Sequence, residues 1–275
     1  MQFFKRRVKL LTKIETLELI VNENISVSRF GDGELILALE ERDIPFQGYS
    51  QKIRDKLLSI LKNTDPNILI CYNNNFSNSK KYFVVKKYER SKKKYIKSIT
   101  VKLENDIGIL FREDEQVFYK QNLKYIKSHS KLKILGEATV FFLDRYFKEY
   151  KSDKIKYVQR LYTELFRDKN ILIVSPKSPL LAPSFQFLVE KKIIKSFKSC
   201  SFIEINPKNA FSHFDHTLET LQSKILNVDV VIIQGGAFAT ILSYEITKLY
   251  QKQALDVGSL NISLYNSWLR DGVSF

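Results

Sequence analysis

The stretch SVSRFGDGELILALEE, Ser26 to Glu41, carries the decision about the fold. An apolar run from Ile25 to Phe30 ends on it, glycines follow at Gly31 and Gly33, and a helical pattern takes over from Leu35 to Glu41. Strand, glycine turn and helix in that order make half of a βαβ unit. The order recurs at DVVII, Asp229 to Ile233, followed by QGGAFAT, Gln234 to Thr240, and the helical run ILSYEITKLY. Further short apolar runs stand at 67–71 (NILIC), 133–135, 170–174 (NILIV) and 201–205 (SFIEI), with helical patterns at Ile14 to Val21 and Gln51 to Lys62. Strands apolar on both faces, alternating with helices, predict an α/β fold with a mostly parallel sheet flanked by helices. Residues 80–130 are more polar and predict a helical insertion or lid. No repeat or low-complexity linker divides the chain, so a single domain over residues 1–275 is the expectation.

At 275 residues and 44% apolar composition, with 20 Phe and 14 Tyr, the chain can bury a full core. Cys71 and Cys200 have neither CxxC nor metal-ligand spacing and read as buried thiols of a reducing compartment. The amino-terminal MQFFKRRVKLLTKIETLELIV is interrupted by Lys13, Glu15 and Glu18, which predicts a cytoplasmic amphipathic helix rather than a signal peptide. The most apolar window, Val228 to Ile246, contains Asp229, Gln234 and Glu245 and does not predict a membrane span. The formal charge is +15, with a Lys/Tyr-rich stretch from Lys80 to Lys102. A solvated helix face is the commoner use of such a run. Nucleic acid, an acidic membrane surface and phosphorylated substrates are the anionic partners it would suit.

In a parallel sheet, ligands bind at the carboxyl ends of strands, where helix starts offer free N–H groups. Two loops qualify. In QGGAFAT, Gly235 and Gly236 would let a phosphate approach the backbone, and Thr240 adds a hydroxyl; the loop lacks the full GxGxxG fingerprint and the P-loop lysine. In FGDGE, Asp32 and Glu34 stand two residues apart between glycines. Such a pair can face one hard cation, magnesium or manganese, bridging a diphosphate. It can equally be a turn in which Asp32 caps the next helix and Glu34 sits in its first turn, and the spacing alone favours the cap.

The context of that pair adds a resemblance. RFGDGE, preceded by ETLELI and followed by PFQGYSQKIRDKLLSIL, resembles the start of the GT-D-type bacterial glycosyltransferases, whose hallmark is a metal-associated DxE motif. PKNAFSHFD (Pro207 to Asp215), VVIIQGGAFATILSYEI and ALDVGSLN (Ala254 to Asn261) resemble later blocks of the same family. The resemblance implies a Rossmann-like fold and transfer of a hexose from a nucleotide sugar, UDP-glucose or a relative, to a glycan acceptor, glycoprotein or lipid-linked. It implies Mn2+ or Mg2+ on Asp32 and Glu34, with Arg29 beside them as a catalytic group. Phe30, Gly31, Asn209, Gly235, Gly236, Thr240, Asp256 and Gly258, together with Arg29, fall at nucleotide-sugar-binding positions. The implied location is cytoplasmic, at the inner face of the membrane, with peripheral contact to acidic lipid and no nucleic-acid partner.

The sequence departs from the family pattern in two blocks: Gly236 replaces a proline, and Ser259 stands where a histidine is usual. These departures keep a second reading in view, a non-catalytic partner of another glycosyltransferase; the charge keeps a third, a basic nucleic-acid-binding protein. His213 and His216 in SHFDH read as surface or packing residues. Glu104, Asp106, Glu113, Asp114 and Glu115 are candidates for a catalytic base, and Tyr265 and Trp268 for ring stacking.

Overall fold

The computed structural model describes residues 8–72, 82–88, 95–102, 108–112, 122–126, 133–141, 150, 152–176 and 197–258. The Tyr265, Trp268 and Ser259 positions, the acidic candidates from Glu104 to Glu115 and most of the loop after NILIV lie outside these residues.

Eight parallel strands form the main sheet. In chain order its strands are β1 (Lys9–Leu10), β2 (Ser26–Phe30), β3 (Ile68–Tyr72), β7 (Ile134–Glu137), β8 (Asn170–Pro176), β9 (Ser199–Ile205), β10 (Val230–Ile233) and β11 (Gln253–Asp256). Across the sheet they run β1-β7-β3-β2-β11-β10-β8-β9. The helices are α1 (Lys13–Asn22), α2 (Asp32–Leu35), α3 (Gln51–Leu61), α4 (Ser152–Phe166), α5 (Phe214–Lys224) and α6 (Ala237–Tyr250).

β3, β8 and β10 read as continuous apolar runs because both faces are covered. On one face Phe30, Ile70, Tyr72, Leu172, Val174, Val231 and Ile233 pack with residues of α3, α5 and α6. On the other, Val27, Leu69, Cys71, Ile171, Ile173, Val230 and Ile232 pack with α1 and α4. The two-residue period assigns each neighbour in a strand to the opposite core. α6 lies along β2 and β11, where the Ser28 and Ser243 hydroxyls meet at 2.9 Å, so the centre of the sheet is tied to the helix that follows QGG. Thr12 caps α1 by accepting the Glu15 N–H on its hydroxyl and donates its own N–H to the Glu15 carboxylate, and Ser50 caps α3.

One expectation needs correction. The insertion between β3 and β7 is an antiparallel three-stranded sheet over its described residues, β4 (Tyr82–Tyr88), β5 (Tyr95–Lys102) and β6 (Gly108–Arg112), where a helical insertion was expected. YFVVKKY and YIKSITVK are dense in β-branched and aromatic residues, which favour a pleated surface over a helix. Among the described residues no helix is long and apolar enough to cross a membrane.

Candidate functional site

β2 ends at Phe30 and the chain turns at Gly31 into α2, a single turn that passes into a π-helical stretch, Ile36–Glu40. The start of this helix is held by Glu34, not by Asp32. The Glu34 carboxylate reaches back to accept the Gly31 N–H at 2.8 Å, while Gly31 is the N-cap residue and Asp32 is the first helical residue, exposed. The expectation of Asp32 as a cap is therefore replaced: the reciprocal contact in a capping box comes from the residue three positions on, which is Glu34.

Arg29 precedes this turn. Its Nε donates to the Ala138 carbonyl at 2.7 Å, and Nη1 lies 3.8 Å from Asp256 Oδ1. Asp256 ends β11 beside β2 and gathers three further partners: the Arg29 N–H at 3.2 Å, the Gly258 N–H at 3.1 Å and the Thr240 hydroxyl at 3.0 Å. The same Thr240 hydroxyl donates to the Arg29 carbonyl at 2.8 Å. One hydroxyl proton is shared between the two acceptors, of which the Arg29 carbonyl is the nearer. Burial pushes the Asp256 carboxyl up, against Arg29 and its hydrogen bonds. Burial, then the Asp256 charge, raise Glu34 to about 7, against the Gly31 N–H and Arg29.

These groups open on a cavity of about 530 Å³ at the carboxyl ends of β2, β8, β10 and β11. Its polar wall holds Arg29, Asp32, Glu34 and Asp256, with Gly31, Gly235, Gly236 and Gly258 between them. Gly236, at φ +55, is the N-cap of α6 and supplies no side-chain cap, so the first N–H groups of that helix are left for a ligand. At Gly235 a Cβ would come within 3.0 Å of Ile205 Cδ1, so a side chain there requires Ile205 to shift. Ser175 and Gln234 complete this side, and Gln234 Nε2 is a buried donor with no partner among the described residues. Ile36, Ile44, Pro45, Phe46 and Pro176 supply apolar lining to the same cavity.

Eight of the expected positions thus meet in one place, and three do not. Phe30 is fully buried in the core beneath the sheet. Thr240 is also fully buried and spends its hydroxyl on Arg29 and Asp256, so it positions the site and does not reach a ligand. Asn209 lies off the cavity, in a left-handed conformation, with Oδ1 accepting the Gly48 N–H at 2.7 Å. The SHFDH histidines lie elsewhere; His216 is exposed beside Glu219, and Asp215 pairs with Lys52. Gln234, Ser175 and the Ile44–Phe46 wall were not anticipated as site residues, although QGG and PFQ lie within stretches that had drawn notice.

The comparisons agree with this architecture. A family model described as glycosyltransferase GT-D fold matches residues 27–274. No curated protein matches the chain. A solved structure described as the highly conserved domain of unknown function 1792, with a distinct glycosyltransferase fold, superposes with a TM-score of 0.67 at 22% identity, over 98% of this chain and 84% of that one. A protein described as a new glycosyltransferase (DUF1792) from Streptococcus sanguinis gives a TM-score of 0.67 at 19% identity, over 98% and 87%.

Proposed function

Because the chain belongs to the glycosyltransferase GT-D fold family, we propose that it is a hexosyltransferase that takes its sugar from a nucleotide donor, UDP-glucose or a relative. The acceptor in this reading is a glycan, glycoprotein or lipid-linked glycan of the bacterial surface, and residues 1–275 act as one catalytic domain. One observation supports the donor assignment most directly. Arg29, Asp32, Glu34 and Asp256 converge with the glycine-capped start of α6 on one cavity at the carboxyl end of the sheet.

The donor set suits a hard cation. Two carboxylates two residues apart suit Mg2+ or Mn2+, which keep places for water and phosphate oxygens. Asp32 and Glu34 would hold it, and its chemistry would be to neutralise charge on the departing diphosphate. The chain's own groups act on the same charge. Arg29 is anchored by Ala138 and Asp256, so its guanidinium is pre-oriented and costs little reorganisation during transfer. The free N–H groups of α6 and the unpartnered Gln234 amide are further donors for phosphate oxygens. The apolar lining residues would keep water from part of the bound donor.

Asp32→Asn and Glu34→Gln test this reading. Both substitutes keep an oxygen acceptor, so melting should move by less than about 1 kcal/mol, while transfer from UDP-sugar and manganese-dependent UDP binding should fall by roughly 100-fold or more. A proton on Glu34 competes with a cation, so manganese affinity of the wild type should rise with pH through about 7, and Glu34→Gln should lose that dependence. Wild-type turnover with wild-type manganese dependence in both variants would refute the assignment.

A further inference from the structure

Phe46 is a phenyl ring that stays 69% exposed while the backbone beneath it is pinned from several directions. Ile44 and Gln47 exchange hydrogen bonds at 3.0 and 3.1 Å, leaving Pro45 and Phe46 as the two corner residues of a tight turn. The Phe46 carbonyl accepts the Asn209 N–H at 2.8 Å, and the Gln47 side chain accepts the Phe211 N–H at 3.2 Å. Asn209 Oδ1 takes the Gly48 N–H, and Asp43 Oδ1 takes the Tyr49 N–H at 2.7 Å. The turn also leans on the carboxylate loop, for a Cβ at Gly33 would come within 3.1 Å of Ile44 Cδ1. A single exposed phenylalanine is ordinary on a protein surface. This one lines the cavity, on a turn fixed before any ligand arrives.

We propose that Phe46 is the platform on which the base of the donor nucleotide stacks. The proposal rests on the donor-site reading above and adds the end of the cavity that takes the ring. The division of the cavity supports it. Arg29, Asp32, Glu34, Asp256 and the start of α6 give the cavity its charged and donor groups, whereas the Ile44–Gln47 turn brings Ile44, Pro45 and Phe46 to it, all apolar. The diphosphate would lose its solvation against such a patch and gain no partner there. A nucleobase has two apolar faces and carries its polar atoms on its edge, so it satisfies the patch by stacking alone. A pre-fixed ring also loses little conformational freedom on binding.

The test is calorimetric titration, at saturating manganese, of UDP and of inorganic pyrophosphate as a base-free probe. The proteins are wild type, Phe46→Ala and Phe46→Tyr. Phe46→Ala should bind UDP about ten-fold more weakly and pyrophosphate as the wild type does, and Phe46→Tyr should recover UDP binding. An unchanged UDP affinity in Phe46→Ala overturns the proposal, and does so too if the variant instead raises the KM of the acceptor. An equal loss for UDP and pyrophosphate also overturns it, because the turn would then serve the phosphates. Failure of the wild type to bind either probe would instead remove the donor-site reading, and this inference with it.

Discussion

Gly258 shows how closely the site is built at the scale of single residues. Its φ is +59, and a Cβ placed on it would lie 1.6 Å from Arg29 Nη1 and 2.7 Å from Cζ. No rotamer adjustment of a methyl group exists, so the guanidinium itself must leave. Gly258→Ala should therefore cost about 1–3 kcal/mol in a urea melt and at least roughly ten-fold in turnover; unaltered turnover would mean that Arg29 acts from some other position. Much at this scale was legible beforehand. Arg29, Asp32, Glu34, Gly235, Gly236, Asp256 and Gly258 announce themselves because charge or glycine at a strand end has few uses other than turns, caps and ligands. The direction in which a side chain points is not written in its type. Thr240 and Asn209 have the chemistry of ligand contacts, yet their oxygens hold neighbouring protein groups. Phe46 carries no signal, since one apolar residue in an irregular turn belongs to no periodic pattern.

Among elements, the instructive pair is the Ile44–Gly48 turn and the segment that enters the 3-10 turn Ala210–His213. Asn209 joins them by donating its N–H to Phe46 and accepting from Gly48, and it does so at φ +52. Asn209→Gly separates the two roles. Glycine takes the left-handed backbone freely, so the net loss of stability should be only the one side-chain hydrogen bond, about 1 kcal/mol. The freed turn should still raise the KM for the nucleotide sugar several-fold with kcat much less affected. Steady-state kinetics check this, and an unchanged KM would show that the turn is rigid without the clamp. β3, β8 and β10 were readable because burial on both faces leaves continuous apolar runs in them. β1 escaped notice because it is two residues long, and β11 because QALD sets only two apolar residues between a glutamine and an aspartate. The insertion was misread because its lysines suggested a solvated helix, whereas alternation in YIKSITVK is what a strand requires.

For the molecule as a whole, the charge of +15 is the property that its partners feel first. Part of it is carried by the antiparallel insertion, which includes Lys86, Lys87, Lys97 and Lys102 within its strands. If the acceptor is lipid-linked, this charge should hold the protein at an acidic bilayer. Co-sedimentation with phosphatidylglycerol vesicles at about 50 mM salt, released by about 500 mM, is the expected behaviour. Equal retention on neutral vesicles would exclude charge as the cause. The order of the sheet has a further consequence, in the time domain. β2 pairs with β3 on one side and with β11 on the other, and the hydrogen bonds of Asp256 to Arg29 close the site from both ends of the chain. On the ribosome, β11 emerges about 180 residues after β3, which is roughly 10–40 s of synthesis. For that interval the middle of the future sheet is a bare strand edge, open to association with other chains. The cavity at the strand ends therefore cannot close before β11 has emerged, and the emerging half-sheet is where a chaperone has most to protect.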